Sequence, residues 1–398
     1  MRILHTSDWH LGRRIDQHSL AEPHERFLSW LTDELLPEEK PDLIVVAGDI
    51  YDRAIPPTDA IELFEDTLSK IRELKIQTLI TSGNHDSRIR LGTNTRFMES
   101  SGLHFRTRLN QVAIPVVIEH GEVILLAYGI PYIEPDVDTG DAPHQWNVAA
   151  TQTDVLQEAM RLINLDVEAR KKKSAKVVKV TVASHAFVMG ASASDSERNI
   201  KVGGLGQADA GVFEGADYVA MGHLHGPKHS IKAAGSTVLR YSGSPIPFSF
   251  SERDHLKQVL MLTIDEKGVD HKSIEVCEVP QTRKMQQFEG TLSELTSSKF
   301  PATENWVKIV LTDQKILDDA GVTLRRKFPN LLELEFRRFV IGNSDSGRDG
   351  VLLSDLSPEE VTRRFVARVT AEKPTKSVAD AIDDCCAMVN SENIQVNK

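Results

Sequence analysis

The chain returns repeatedly to one local pattern. A short run of apolar, largely β-branched residues breaks off into Gly, Ser, Asn, Asp or His. The pattern appears at DLIVVAGD (42–49), QTLITSGNHD (77–86), VILLAYGIPY (123–132), KVVKVTVASHA (176–186) and DYVAMGHLH (217–225), and MRILHTSDWHLG at the amino terminus has the same form. Such runs, bounded by turn formers, are the mark of buried strands that feed loops. Amphipathic segments suited to helices lie between them, at 22–36, 57–74 and 150–164, with Pro57-Thr58-Asp59 as the start of the second. Strands alternating with helices predict an α/β fold whose helices cover sheet faces.

A length of 398 residues suggests two to three domains. No apolar stretch approaches the roughly 20 residues of a membrane span, and no secretory signal is expected at the amino terminus. Cys277, Cys385 and Cys386 make no disulfide framework and fit a reducing cytoplasm. A formal charge of −11 argues mildly against a nucleic-acid partner. Metal-binding carboxylates would lower its weight, and basic clusters occur at Arg13-Arg14, Arg88-Ile89-Arg90 and Arg170-Lys171-Lys172-Lys173.

The texture changes after a predicted hairpin, QVLMLTIDEKGVDHKSIEV (258–276), turning at Glu266-Lys267-Gly268. QTRKMQQFEGTLSELTSSK (281–299) is polar, and strand-like WVKIVLT (306–312) and LLELEFRR (331–338) flank a helical piece near 314–327. Residues 281–340 therefore read as a small α+β domain, and IGNSDSGRDG (341–350) as a linker by composition. In the tail, Ser357, Pro358 and Glu360 form a capping box. A second helix follows Pro374, with Val378, Ile382, Cys385 and Val389 on one stripe. These helices either fold back on the body or dock a partner helix.

Polar clusters stand just past the predicted strand ends: Asp8 and His10; Asp49 and Asp52; Asn84, His85 and Asp86; His185; His223 and His225. In α/β sheets ligands bind at that edge. Each cluster alone is unremarkable, since G-D-x-x-D and G-N-H-D also make turns. Five in order, each at a strand end, form a site. Oxygen and imidazole ligands without thiolates suit Mn²⁺, Fe²⁺ or Zn²⁺ better than Mg²⁺ or Ca²⁺. They are too many for one tetrahedral ion. A carboxylate such as Asp49 can bridge two ions about 3.5–4 Å apart, the arrangement used for phosphoryl hydrolysis. A phosphodiester is so inert that such a site must lower its barrier by something on the order of 20 kcal/mol.

In this order the motifs D-x-H, G-D-x-x-D, G-N-H-D, a single His and G-H-x-H resemble the calcineurin-like metallophosphoesterase signature. MRILHTSDWHLG, VVAGDIYD, SGNHDS, GASASDSERNI (190–200), YVAMGHLHGP and YSGSPIPFSF (241–250) are closer still to its double-strand-break repair nuclease branch. The resemblance implies a two-sheet β-sandwich flanked by helices as a nuclease domain (1–275), a capping domain (281–340) that helps set the DNA path, a linker (341–353) and C-terminal helices (354–398). Those helices would bind a separate SbcC-type coiled-coil ATPase, since the chain has no G-x-x-x-x-G-K-[ST] motif of its own. The resemblance further implies two divalent ions, taken as Mn²⁺. Asp8, His10, Asp49 and His225 would hold the first, and Asp49, Asn84, His185 and His223 the second. His85 would stand outside the metal shell and stabilise or protonate the departing 3′ oxygen. Many archaeal and eukaryotic relatives carry His where this chain has Asp52, which would orient His85 or only support its loop. The implied activity is 3′–5′ exonuclease on duplex ends and endonuclease on single strands and hairpins. The implied assembly is a nuclease homodimer within a heterotetramer, cytoplasmic and nucleoid-associated. A small-molecule or protein phosphoesterase would share the same ligands. The extra domain, linker and tail favour the nuclease.

Overall fold

The computed structural model describes residues 1–133, 151–188, 208–226, 230–232, 235–313, 319–337, 357–370 and 373–396. GASASDSERNI (190–200), the linker (341–353) and part of the helical piece expected at 314–327 lie outside them. Met1–Arg337 form one compact unit and Arg338–Lys398 a second.

The first unit is built on two six-stranded sheets. One takes β1 (Arg2–Thr6), β2 (Leu43–Ala47), β3 (Gln77–Thr81) and β4 (Leu103–Arg106), all parallel. The other takes β5 (Val116–His120), β6 (Val123–Ile130), β7 (Val177–His185), β8 (Tyr218–Gly222), β9 (Ser230–Lys232) and β10 (Val238–Tyr241). β11 (Gln258–Thr263) and β12 (Glu275–Glu278) complete the first sheet as an antiparallel pair beside β1. This is the expected hairpin, with a tight turn between Asp265 and Gly268 and a further turn at His271–Ser273.

Alternation along each strand divides the core into layers. Ile3, Leu43, Val45 and Leu79 of the first sheet meet Leu125, Ala127, Ala183, Tyr218 and Ala220 of the second. Their neighbours Leu4, Ile44, Val46 and Ile80 point the other way. They pack against α1 (Ala21–Ser29, continuing through a π turn to Glu39) and α2 (Thr58–Glu73). Leu126, Tyr128, Val182, Val219 and Met221 back onto α3 (Gln152–Lys171). α3 outlasts the segment expected at 150–164 and is capped by Thr151 Oγ1, which accepts the Asp154 N–H at 3.1 Å. The result is a helix–sheet–sheet–helix sandwich, with the carboxyl ends of the parallel strands at one edge.

Residues 285–336 form a parallel sheet of β13 (Met285–Gly290), β14 (Trp306–Leu311) and β15 (Leu331–Phe336), with α4 (Leu292–Thr296) and α5 (Ala320–Arg325). Val307, Ile309, Leu324, Phe328 and Leu331 give it a core of its own. Met285, Trp306 and Leu332 join the core of the first sheet's outer face. In the second unit, α6 (Pro358–Thr370) and α7 (Lys376–Val396) pair through Arg363 and Asp383. Ser357 Oγ caps α6, accepting the Glu360 N–H at 3.3 Å. Among the described residues no helix is long and apolar enough to cross a membrane.

Candidate metal centre

Every residue of the five clusters stands at a strand's carboxyl end. Asp8 and His10 follow β1, Asp49 and Asp52 follow β2, and Asn84 and His85 follow β3. His185 closes β7, and His223 and His225 follow β8. The first two loops run side by side: Asp8 N–H donates to Gly48 O at 3.1 Å, His10 N–H to Asp49 O at 3.0 Å and Leu11 N–H to Ile50 O at 2.9 Å. Asp8 (φ 55°), His10 (φ 46°), Asp49 (φ 52°) and His223 (φ 106°) hold positive φ. Side-chain-bearing residues adopt that region at a cost, and such residues gather at functional sites. Close approach also requires glycine at 83, where a Cβ would stand 2.1 Å from Asp49 Oδ1.

Asp8, His10, Asp49, His85, His185, His223 and His225 are buried, and Asn84 and Asp52 are half-buried. One ligand atom each from Asp8, His10 and His225 lies within 4.8 Å of the others, as do atoms from Asp8, Asp49 and His185, and from His10, Asp52 and His85. Asp49 is the hub. Its Oδ2 is 3.5 Å from His10 Nε2 and 3.4 Å from His185 Nε2, while its Oδ1 accepts the His85 N–H at 2.8 Å. His10 Nε2 and His225 Nε2 face each other at 3.2 Å. Asn84 Oδ1 lies 3.0 Å from His185 Nε2 and 3.2 Å from His223 Nδ1. Asp8 is fixed by the His223 N–H (3.0 and 3.1 Å to its two oxygens) and by Ser7 Oγ at 2.5 Å.

Hydrogen bonds on the outer side of the rings set the tautomers. A carbonyl only accepts, so His185 Nδ1, 2.9 Å from Ala47 O, carries hydrogen, which leaves Nε2, on the side of Asp49 and Asn84, as the nitrogen that a metal would take in place of a proton. His85 Nδ1 donates in the same way to Asp52 O at 2.7 Å. The main chain at residue 52 therefore orients His85. The Asp52 carboxylate meets Arg13 Nη1 at 2.8 Å and stands 3.7 Å from His10 Nδ1.

The charges are mutually dependent. Burial opposes ionisation of Asp49, yet the charged His185 ring beside it holds its carboxyl well below the usual range. Burial likewise opposes a proton on His185, but Asp49 raises it to about 9. Burial carries His10 well below its ordinary value and, with the neighbouring His185, His223 to about 3. Burial pushes Asp8 up. Oxygens and imidazole nitrogens thus converge in a thiolate-free pocket, a donor set that fits divalent transition metals.

Three supporting residues carry no role in the sequence reading. Asp86 appears there as a member of the third cluster, with no ligand or catalytic role. Its Oδ2 accepts the Gly83 N–H at 2.9 Å and the Ile50 N–H at 3.1 Å, and its Oδ1 accepts the Tyr51 N–H at 2.9 Å. It ties the loop after β3 to the loop after β2. Glu252 and Lys257 are buried behind His225. Glu252 opens the polar run Glu252-Arg253-Asp254-His255, which gives no sign in the sequence that its acid is buried. Phe248 packs edge-on against His10 and His225 at centroid distances of 5.0 and 5.1 Å.

Residues 1–227 match the family described as calcineurin-like phosphoesterases, and residues 281–370 match the type 5 capsule protein repressor C-terminal domain. The SbcD subunit of the nuclease SbcCD from Staphylococcus saprophyticus is 29% identical over 388 residues, 96% of this chain and 97% of that protein. Among solved structures, TT1561 of Thermus thermophilus is similar over 70% of this chain and 99% of its own, at 13% identity and TM-score 0.39. Purple acid phosphatase PPD1 of yellow lupin is similar over 67% of this chain and 50% of its own, at 12% identity and TM-score 0.37.

Proposed function

The chain belongs to the calcineurin-like phosphoesterases, and from that premise we propose that it is the metal-dependent nuclease subunit of an SbcCD-type complex, a phosphodiesterase acting on DNA with an SbcC-type ATPase. Likeness to the staphylococcal SbcD nuclease along nearly the whole chain supports this reading. The observation that carries the chemistry is the Asp49 carboxylate set between His10 and His185, with Asp8, Asn84, His223 and His225 around them.

Asp8, His10, Asp49 and His225 would hold one divalent ion, and Asp49, Asn84, His185 and His223 the other. The thiolate-free set suits Mn²⁺. Bound there, the pair would make a hydrolytic nucleophile available at neutral pH and neutralise charge on the phosphate oxygens. The protein's own part in leaving-group chemistry falls to His85. With Nδ1–H committed to Asp52 O, a protonated His85 gives its Nε2 proton to the departing 3′ oxygen and returns to the tautomer the carbonyl fixes. His85 is only 8% exposed and packs edge-on against His10 at 4.6 Å, which holds the ring at the rim of the cluster. Asp52 would support this indirectly, by holding Arg13 and keeping its own carbonyl in place.

In the finer reading the enzyme degrades duplex ends 3′ to 5′ and cuts single strands and hairpins. Residues 1–275 would form the nuclease domain and 281–340 a cap on the DNA path. Residues 354–398, beyond a linker at 341–353, would bind the ATPase coiled coil. Exposure of Phe365 (65%) and Val378 (41%) on the tail helices supports that docking role. Two nuclease chains would pair within a heterotetramer working on nucleoid DNA in the cytoplasm. The test compares linear duplex DNA with a small phosphomonoester in Mn²⁺. DNA should be cleaved in preference. His85→Gln should lose about 10²–10⁴-fold in rate while keeping metal. Preference for the monoester, or an unaltered rate in His85→Gln, overturns the reading.

A further inference from the structure

Behind His225 lies a closed polar network with no part in the ligand set. Glu252 Oε1 is 3.3 Å from His225 Nδ1. Its Oε2 meets Lys257 Nζ at 2.5 Å and the Phe248 N–H at 3.3 Å. Lys257 Nζ also donates to Ser244 Oγ at 2.8 Å and to His225 O at 3.2 Å. Glu252 is 1% exposed and Lys257 4%. An isolated charge this deep would be strongly unfavourable, so the two stand as an ion pair.

The pairing has a chemical consequence for the ring. An ionised carboxylate only accepts, so Nδ1 of His225 must carry hydrogen. Nε2 then holds the lone pair, on the side facing His10 Nε2 at 3.2 Å. Lys257 reaches both the carboxylate and the His225 backbone carbonyl, so ring and main chain are fixed by the same two residues.

We propose that Glu252, held ionised by Lys257, is a positioning residue that locks His225 in the Nδ1–H tautomer and presents its Nε2 as a metal ligand. The inference rests on the reading of His225 as a ligand. Carboxylates behind metal-bound histidines act this way in general, and their loss typically weakens metal affinity about 10–100-fold. Nothing in the local sequence pairs residue 225 with 252. The segment that turns after β10 brings the acid behind the ring.

The test uses the full chain. ¹⁵N-histidine NMR of metal-free protein reads the tautomer, with His225 assigned by comparison with His225→Ala, and calorimetry reads Mn²⁺ affinity. Wild type should show His225 as the Nδ1–H form. The double variant Glu252→Leu with Lys257→Met removes both charges together. It should show a mixed tautomer and bind Mn²⁺ about 10–100-fold more weakly while remaining folded. Should it fail to fold, Glu252→Met with Lys257→Leu likewise leaves no acceptor for Nδ1–H and no buried charge, and is read the same way. A purely structural role would lower the melting temperature and leave tautomer and affinity unmoved, which overturns the proposal. His225→Ala separates the two readings. Undiminished Mn²⁺ affinity there removes His225 from the ligand set. Weakened affinity there, with wild-type affinity in the Glu252 variants, overturns the positioning role alone.

Discussion

Asp86→Asn should loosen the site without touching any ligand. The carboxylate of Asp86 receives three backbone N–H groups, two on Oδ2 and one on Oδ1. An asparagine has one acceptor oxygen. Placed where Oδ2 stands, it keeps Gly83 and Ile50 but turns an NH₂ toward the Tyr51 N–H, leaving two donors opposed in a buried setting. Losing one hydrogen bond to a charged acceptor and burying an unpaired donor costs about 1.5–3 kcal/mol. The pH dependence has a definite sign. Burial and the charge of Asp49 push Asp86 up to about 7, against the pull of the three N–H groups. At pH 8 the side chain is ionised in the folded and the unfolded chain alike, and the contrast with asparagine is the hydrogen-bond contribution alone. As pH falls through about 7, the folded wild type takes up a proton that the unfolded chain, with its carboxyl at about 3.9, still refuses, so wild type gains stability that the non-titrating asparagine does not and the contrast grows. Urea unfolding of the metal-free protein at pH 8 and pH 5.5 measures both values, and Mn²⁺ calorimetry measures the effect on the loops bearing Asp49 and Asn84. A difference below about 0.5 kcal/mol at pH 8, or one that shrinks toward pH 5.5, would refute the clamp.

Other consequences follow from the same contacts. Burial holds His5 at about 3 and His24 at about 4, against about 6.5 in an unfolded chain. Below pH 6.5 the unfolded chain takes up protons that the folded one refuses, so stability falls with pH, by about 2 kcal/mol per histidine at pH 5. His24→Gln should flatten that acid limb in urea titrations, and an unchanged limb would contradict the assignment. Gly83→Ala places a Cβ 2.3 Å from Asp49 N as well as against Oδ1, and should weaken Mn²⁺ binding at least about tenfold. Wild-type affinity in calorimetry would mean the loop yields freely. Removing residues 354–398 should leave Mn²⁺-dependent cleavage intact and abolish co-purification with the ATPase subunit. Retained association would move docking elsewhere.

Much of the sandwich was legible because its strands obey a simple period and end abruptly. DLIVVAGD shows both: Leu43 and Val45 face one layer, Ile44 and Val46 the other, and Gly48-Asp49 ends the run. β13 was not legible. MQQFEG is mostly polar because only Met285 is fully buried along it, and what makes it a strand is its pairing with β14. The short β4 and β10 have too few residues to show a period. The ligand types could be listed from the strand ends, and the resemblance named Asp49 as the shared one, but spacing alone could not place it. That Asp49 lies between His10 and His185 depends on two sheets meeting, with Ala47 O receiving the His185 Nδ1–H across them. Asp86 and Glu252 were obscured for the same reason, since each acts on backbone or ring atoms far from it in sequence. At Asp52 the atom that meets His85 Nδ1 is the main-chain carbonyl, which any residue there would supply, while the carboxylate holds Arg13, in keeping with the second of its two expected roles.

Two cations sharing Asp49 would be the centre of the chemistry. Anomalous diffraction from crystals grown with Mn²⁺ measures this directly. Two peaks about 3.5–4 Å apart are expected, both within bonding distance of the Asp49 carboxylate, one beside His10 and His225 and the other beside Asn84, His185 and His223. A single peak, or a pair that Asp49 does not bridge, would contradict it.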